Sequence, residues 1–98
     1  MAKIAGSQFS LEMGFSRDEF IRSLEKQTSL KYNRQGNHIQ LYFSNKTVLL
    51  TLGEQRFRQI ASLRLPSLRV DFDFSALSEL EQEQLLQQFL LKFNRGGG

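Results

Sequence analysis

Two helix-start signals, one near each end of the chain, constrain the fold more than any other feature of this sequence. Ser16 and Glu19 form the S-x-x-E pattern of a capping box, in which side chains satisfy the free backbone N–H groups of a helix start, and Ser78 and Glu81 repeat it. Apolar residues recur at helical spacing after each box. We therefore expect one helix over about residues 17–27 and a second one that begins near residue 79.

Strand patterns occupy the rest of the chain. A period-two alternation over residues 9–13 predicts a strand before the first helix. Between the helices, two-residue hairpin loops at four places bring the apolar residues of successive strands onto one face. These loops are Gln35-Gly36, Asn45-Lys46, Gly53-Glu54 and Pro66-Ser67. The resulting register turns Phe57, Leu63 and Leu65 toward the core.

One segment fits this meander poorly. The predicted register turns Gln59 toward the core and Ile60 toward solvent, which is the reverse of what their polarity favours. An extra residue in one strand reverses the alternation of faces. We therefore expect a β-bulge near Arg58.

The predicted order of elements is strand, helix, four or five strands, helix. This order favours an α+β domain in which an antiparallel β-meander sheet carries both helices on one face. The order β-α-β(4-5)-α resembles the layouts of the TATA-binding-protein-like (TBP-like) and helix-grip folds. The resemblance concerns the order of elements, so it implies a fold and no function. We expect a single domain over residues 1–95, followed by a disordered glycine tail over residues 96–98.

Residue types that are missing or rare exclude several kinds of site. The chain has no cysteine and a single histidine, His38, which excludes a disulfide and a zinc site built from Cys and His. His38 has no nucleophile or carboxylate beside it in the predicted meander, so we expect no enzyme, no catalytic residue, and no metal or cofactor. The N-terminus lacks the apolar segment of a signal peptide, and no apolar run approaches the ~20 residues that span a bilayer. We expect a cytoplasmic protein without membrane contact.

The candidate binding residues lie on the outer face of the predicted sheet, away from the helices. They are Tyr42, Leu49, Arg56, Arg58 and Ile60. In a chain with a formal charge of +3, arginines beside a tyrosine could hold a phosphate backbone and stack a base, as a nucleic-acid interface requires. Exposed leucine and isoleucine instead favour a contact with a protein partner or a second copy. The plain alternative is a solvated face with cross-strand ion pairs, such as one between Arg64 and Asp71.

Together these patterns predict a small non-catalytic interaction domain that associates with itself or docks on a protein partner. Nucleic-acid binding through the basic outer face is the first alternative. The second is binding of a small apolar ligand between the sheet and the C-terminal helix. Leu80 and Leu91 lie off the apolar stripe of that helix, where they are either partly buried at the domain edge or part of an oligomer surface.

Overall fold

Strands and helices follow one another in the order that the sequence predicts. The computed structural model describes residues 7–93 of the chain. Its elements are β1 (Gln8–Met13), α1 (Arg17–Lys26), β2 (Lys31–Gln35), β3 (His38–Phe43), β4 (Lys46–Ile60), β5 (Leu63–Asp73) and α2 (Glu79–Phe93). The predicted glycine tail over residues 96–98 lies outside the described residues.

The strands form one antiparallel sheet in the order β1-β5-β4-β3-β2. β2 to β5 are therefore a meander, and β1 lies at the edge beside β5, with Phe9 opposite Phe72 and Met13 opposite Leu68. The predicted α+β class, with an antiparallel sheet and two helices, is confirmed. The likeness to TBP-like and helix-grip layouts beyond the order of elements stays a prediction.

Both helices begin at the predicted capping boxes. At the start of α1 the Ser16 hydroxyl accepts a hydrogen bond from the Glu19 N–H at 3.1 Å, while the Ser16 N–H donates to the Glu19 carboxylate at 2.9 Å. Ser78 and Glu81 make the same two hydrogen bonds at the start of α2. The residue before the first box, Phe15, packs against a phenylalanine of α1 at 5.6 Å between ring centroids. This hydrophobic staple sets the direction in which the chain enters the helix.

The core lies between the inner face of the sheet and the two helices, and phenylalanine rings fill its centre. The ring of Phe20 in α1 lies 4.9 Å from that of Phe93 in α2. Phe89 lies 4.4 Å from Phe93 and 5.2 Å from Phe72 of β5. No polar or charged side chain among residues 7–93 is fully buried with them. Because α1, α2 and the sheet all contribute to one apolar cluster, both helices are held on the same face of the sheet.

The first two hairpins have the predicted faces but a different register. The β2–β3 loop is Gly36-Asn37 rather than Gln35-Gly36, and the β3–β4 loop is Ser44-Asn45 rather than Asn45-Lys46. Three of the four loop residues have φ between 55° and 62°, which the tight turns of hairpins require. Each change moves the pairing by two residues, so the same side chains still face the core.

The other two predicted loops are wrong. The chain does not turn at Gly53-Glu54 or at Pro66-Ser67, because β4 and β5 run through these positions and meet at a turn formed by Ala61 and Ser62. The β-bulge lies between Leu52 and Gln55, and not near Arg58 as predicted. Glycine and proline mark irregular positions inside strands as well as turns, which explains the error.

As a result, the β4–β5 hairpin extends beyond the sheet as a two-stranded arm, which we define as residues 56–67. β3 pairs with β4 only as far as Thr51, and β1 pairs with β5 only from Leu68 onward. Within residues 7–93, the arm therefore has no third strand on either side. Its five residue pairs give it a length of about 17 Å.

The same substitution, phenylalanine to alanine, should have different effects on stability in the core and in the arm. Phe89→Ala should lower the free energy of unfolding by about 3–5 kcal/mol, because it leaves a cavity among buried rings. Phe57→Ala should lower it by less than about 1 kcal/mol, because this half-exposed ring meets an arginine of the arm and lies outside the core cluster. Urea unfolding followed by circular dichroism measures both. A loss for Phe57→Ala as large as that for Phe89→Ala would mean that the arm packs against the domain.

Candidate functional site

The arm exposes large apolar side chains that the core does not use. Residues 56–65 are all exposed, and only the last two residues of the arm are half-buried. The exposed fractions are 50% for Phe57, 54% for Ile60, 60% for Leu63 and 42% for Leu65. A two-stranded ribbon without a core is only marginally stable in water by itself. Exposed apolar area concentrated in this way is typical of a surface that another molecule covers.

Alternation along the two strands divides the arm into two faces. The bulge between Leu52 and Gln55 shifts the alternation in β4 by one residue, so Arg56, Arg58 and Ile60 lie on the outer face. Their cross-strand neighbours Leu63 and Leu65 share that face. The opposite face carries Phe57, Gln59, Arg64 and Pro66. The outer face is therefore basic near the sheet and apolar toward the tip.

The three arginines of the arm have different neighbours. Arg56 pairs with Glu54 at 3.0 Å, and Arg58 approaches Glu12 of β1 at 3.6 Å. The guanidinium group of Arg64 lies 4.4 Å from the centre of the arm's phenylalanine ring. Exposed ion pairs of this kind contribute roughly 0–1 kcal/mol, so the guanidinium groups can exchange these neighbours for others. The arm contains three arginines and no Asp or Glu, which gives it a formal charge of +3.

The structure divides the five predicted binding residues into two groups, although all of them lie on the outer face. Tyr42 and Leu49 are diagonal neighbours at the centre of the sheet. Arg56, Arg58 and Ile60 lie together on the arm or at its base. Arg58 is nine residues beyond Leu49 along β4, a distance of roughly 30 Å. A single nucleotide or small ligand therefore cannot contact both groups.

The group at the centre of the sheet offers little apolar area. The Tyr42 hydroxyl donates a hydrogen bond to the Gln40 side chain at 3.2 Å. Leu49 separates two shallow troughs of about 240 and 370 Å³. Most of the residues that line them are polar, including Asn33, Gln35, His38, Gln8, Ser10 and Asp73. This part of the outer face is mainly a solvated surface.

The predicted ion pair between Arg64 and Asp71 is wrong. Arg64 lies on the opposite face of the arm, and Asp71 pairs with Arg69 at 3.1 Å instead. Asp71 also accepts a hydrogen bond from the Ser10 hydroxyl. The hydrogen bonds from Arg69 and then from Ser10 lower the pKa of the Asp71 carboxyl. The Asp71 carboxylate is thus neutralised locally by Arg69, just as Arg56 and Arg58 have Glu54 and Glu12 beside them.

Sequence reasoning missed three apolar residues that define the arm. The predicted loops turn Phe57, Leu63 and Leu65 toward the core, whereas the structure exposes them. The available signal was the misfit of Gln59 and Ile60 with the predicted faces. A polar residue turned inward beside an apolar residue turned outward indicates a strand with no core on one side.

A cleft of about 570 Å³ lies where β1 meets the start of α2. Its lining combines apolar and acidic side chains: Phe9, Phe74, Leu80, Leu86, Glu79, Gln82 and Glu83. Phe9 stacks on Phe72 at 4.9 Å and meets Phe74 edge-on at 5.4 Å, so core packing fixes one wall. Both leucines off the helix stripe are exposed, Leu80 at 62% and Leu91 at 83%, and the first of them lines the cleft.

Glu81 ties the start of α2 to the β3–β4 hairpin. Its carboxylate accepts hydrogen bonds from the Lys46 ammonium at 2.8 Å and from the Ser78 N–H at 2.9 Å. These bonds, that of Lys46 foremost, lower the pKa of Glu81 from 4.5 to about 2. The helical wall of the cleft is therefore held by an ion pair as well as by the capping box.

A metal site, an apolar pocket inside the core and a membrane-spanning helix have less support among the described residues. Within residues 7–93, no group of three or more His, Asp or Glu side chains is placed to hold a metal ion. The space between the sheet and α2 is filled by Phe72, Phe89 and Phe93, whereas the cleft offers room at the edge of the core. Neither described helix is long and apolar enough to cross a membrane.

Comparisons with protein-family models, with curated proteins and with solved structures found no match. Function is therefore inferred from the geometry and charge of the described residues. The arm and the cleft are the two features that support such an inference.

The ion pair of Glu81 makes the start of α2 sensitive to acid. Because the folded-state pKa is about 2 and the ordinary value is 4.5, the pair stabilises the fold fully above pH 4.5 and its contribution is lost as the pH falls toward 2. The difference in unfolding free energy between the wild type and Glu81→Gln should therefore shrink over this range. Urea unfolding at a series of pH values measures it.

The matched variant for this experiment is Lys46→Met, which removes the main cause of the lowered pKa. In the Lys46→Met background, the effect of Glu81→Gln should depend less on pH. An effect of Glu81→Gln in the wild type that stays constant between pH 7 and about pH 2 would contradict the assignment.

Proposed function

We propose that this chain is a non-catalytic protein-interaction module that docks on a protein partner through the arm. The observation that carries the proposal is the exposure of Phe57, Ile60, Leu63 and Leu65 on a ribbon that no other described strand pairs with. The domain gains only part of the burial energy that these side chains could supply, and ordering the ribbon costs conformational entropy. A partner that buries them accounts for both facts.

The residue types of the arm support a protein partner. Aromatic residues and arginine are enriched at protein interfaces, where a desolvated apolar centre is surrounded by a polar rim. On the outer face, Ile60, Leu63 and Leu65 supply the apolar part, and Arg56 and Arg58 lie beside it. The arm therefore has the composition of an interface element on a short, projecting segment.

The arm also has features that oppose unselective strand pairing. Open strand edges invite pairing with other chains, and proline and charged residues on the edges limit it. Pro66 lies in one strand of the arm, and Arg56 and Arg58 lie in the other. These residues favour a defined partner over general aggregation.

Nucleic-acid binding by the arm is a second candidate, and its charge of +3 without any acidic residue is the observation that favours it. A two-stranded ribbon also fits the major groove of DNA. Against this candidate, Arg56 and Arg58 already lie beside carboxylates, and the tip of the arm is apolar. A protein partner uses both the apolar and the basic residues, so we place it first.

Site-specific photocrosslinking tests the proposal. With benzoylphenylalanine at Leu65, we expect a discrete protein adduct in cells that express the chain, because Leu65 lies on the docking face. Leu91 of α2 is the matched control, since it is a more exposed leucine outside the arm, and it should give no such adduct. Ile60→Ser with Leu63→Ser should abolish the Leu65 adduct while circular dichroism shows an unchanged fold. Absence of a protein adduct from Leu65 would contradict the proposal.

Titration at low salt tests the second candidate. If it holds, labelled DNA or RNA should bind, and replacing Arg56, Arg58 and Arg64 by glutamine should reduce the slope of log affinity against log salt by up to about 3. The matched control is Arg22→Gln in α1, which should leave the slope unchanged. No binding at low salt, where release of counterions favours it most, would end this candidate.

A further inference from the structure

The cleft between β1 and the start of α2 has the chemistry that complements the arm. Its apolar residues are Phe9, Phe74, Leu80 and Leu86, and its charged residues are Glu79 and Glu83. Among residues 7–93, no lysine or arginine lines it. An occupant that suits this cleft combines apolar side chains with positive charge, since opposite charges at an interface favour encounter and fix its orientation.

The arm is such an occupant. It carries three arginines and no acidic residue, and its tip presents Ile60 and Leu63. The cleft volume of about 570 Å³ lies in the range of about 300–1,000 Å³ that is usual for ligand pockets, which suits the tip of the arm rather than its whole length. Apolar area and charge therefore match between two surfaces of the same chain.

A chain cannot fill its own cleft, because the arm and the cleft lie at opposite ends of the β1–β5 ladder. The arm begins beyond the pair of Met13 and Leu68, whereas Phe9 and Phe74 lie near the pair of Gln8 and Asp73. Five residues, or about 17 Å, separate these two pairs, and the arm points away from the cleft. The matching surfaces can meet only between two molecules.

Contact between two arms is the less favourable arrangement. It would bring together six arginines, three from each arm, with no carboxylate supplied by either arm. Like charges placed together across an interface oppose association. The head-to-tail arrangement instead brings the arginines nearest the tip, Arg58 and Arg64, toward Glu83.

We propose that the arm of one copy of this chain inserts its tip into the cleft of a second copy. The inference rests on the proposed function of the arm as a docking element, and it names the partner. Ile60 and Leu63 of one copy pack against Leu80 and Phe9 of the other. The contact is heterologous, so one free arm and one free cleft remain in each open dimer.

Mixing two variants tests this contact. The arm variant is Ile60→Ser with Leu63→Ser, and the cleft variant is Leu80→Gln with Glu83→Lys. All four positions are exposed, so both variants should fold like the wild type. Leu91→Gln is the control, because it removes an exposed leucine from α2 outside the cleft.

Sedimentation velocity of the full chain should show that the wild type and Leu91→Gln associate with themselves. The measurements extend to a protein concentration of about 1 mM, because a contact with a Kd of about 1 mM is well populated there. Each variant alone should be monomeric. An equal mixture of the two should form a one-to-one heterodimer, because the cleft variant keeps an intact arm and the arm variant keeps an intact cleft. An arm-to-arm contact would not be restored by mixing.

Three results would overturn the inference: a monomeric wild type, undiminished self-association of either variant, or a mixture that stays monomeric. A monomeric wild type whose Leu65 probe crosslinks to a different protein would leave the proposed function intact and remove only the second copy as the partner. A monomeric wild type whose Leu65 probe gives no protein adduct would remove both. A monomer that binds an apolar dye in the cleft, with binding lost in the cleft variant, would assign the cleft to a small ligand instead.

Discussion

The packing of phenylalanine rings between the sheet and the two helices is the contact on which the other features depend. Phe20, Phe89 and Phe93 bring α1 and α2 together, and Phe72 joins them to the sheet. Since both helices are held on the inner face, the outer face stays free of any second layer within residues 7–93. The same packing extends through Phe9 to one wall of the cleft. A local rearrangement of these rings would therefore change the cleft as well as the stability of the domain.

The bulge between Leu52 and Gln55 connects the sheet to the surface chemistry of the arm. It adds one residue to β4, so the side chains beyond it exchange faces relative to those before it. This exchange places Arg58 opposite Leu65 and Ile60 opposite Leu63 on the outer face. A Cβ atom at Gly53 would lie 3.4 Å from the Cβ and the carbonyl oxygen of Arg69, which is about van der Waals contact. A single irregular position thus determines which residues of the arm can act together.

Charge is distributed unevenly along the long direction of the sheet. The arm carries three arginines without an acidic residue, and the described lining of the cleft at the other end includes Glu79 and Glu83 but no lysine or arginine. Between them, pairs such as Arg69 with Asp71 neutralise each other on the sheet surface. In the proposed head-to-tail contact, the arginines of the arm and Glu83 of the cleft would favour encounter, and salt would weaken this effect. Apolar residues at both ends then supply the contact area that charge alone does not.

Local patterns in the sequence determined the helix starts, the β1 strand and the inward-facing residues of β2 and β3, because capping and alternation depend on residues close together in the chain. The sequence also placed Tyr42, Leu49, Arg56, Arg58 and Ile60 on one face. Only the tertiary structure decided that these residues form two groups, and that Phe57, Leu63 and Leu65 are exposed. An alternating strand is buried only where other elements cover it, and here β1 and β3 end before the arm begins. Alternation records which side chains share a face, whereas the length of the neighbouring strands decides whether that face has a core to enter.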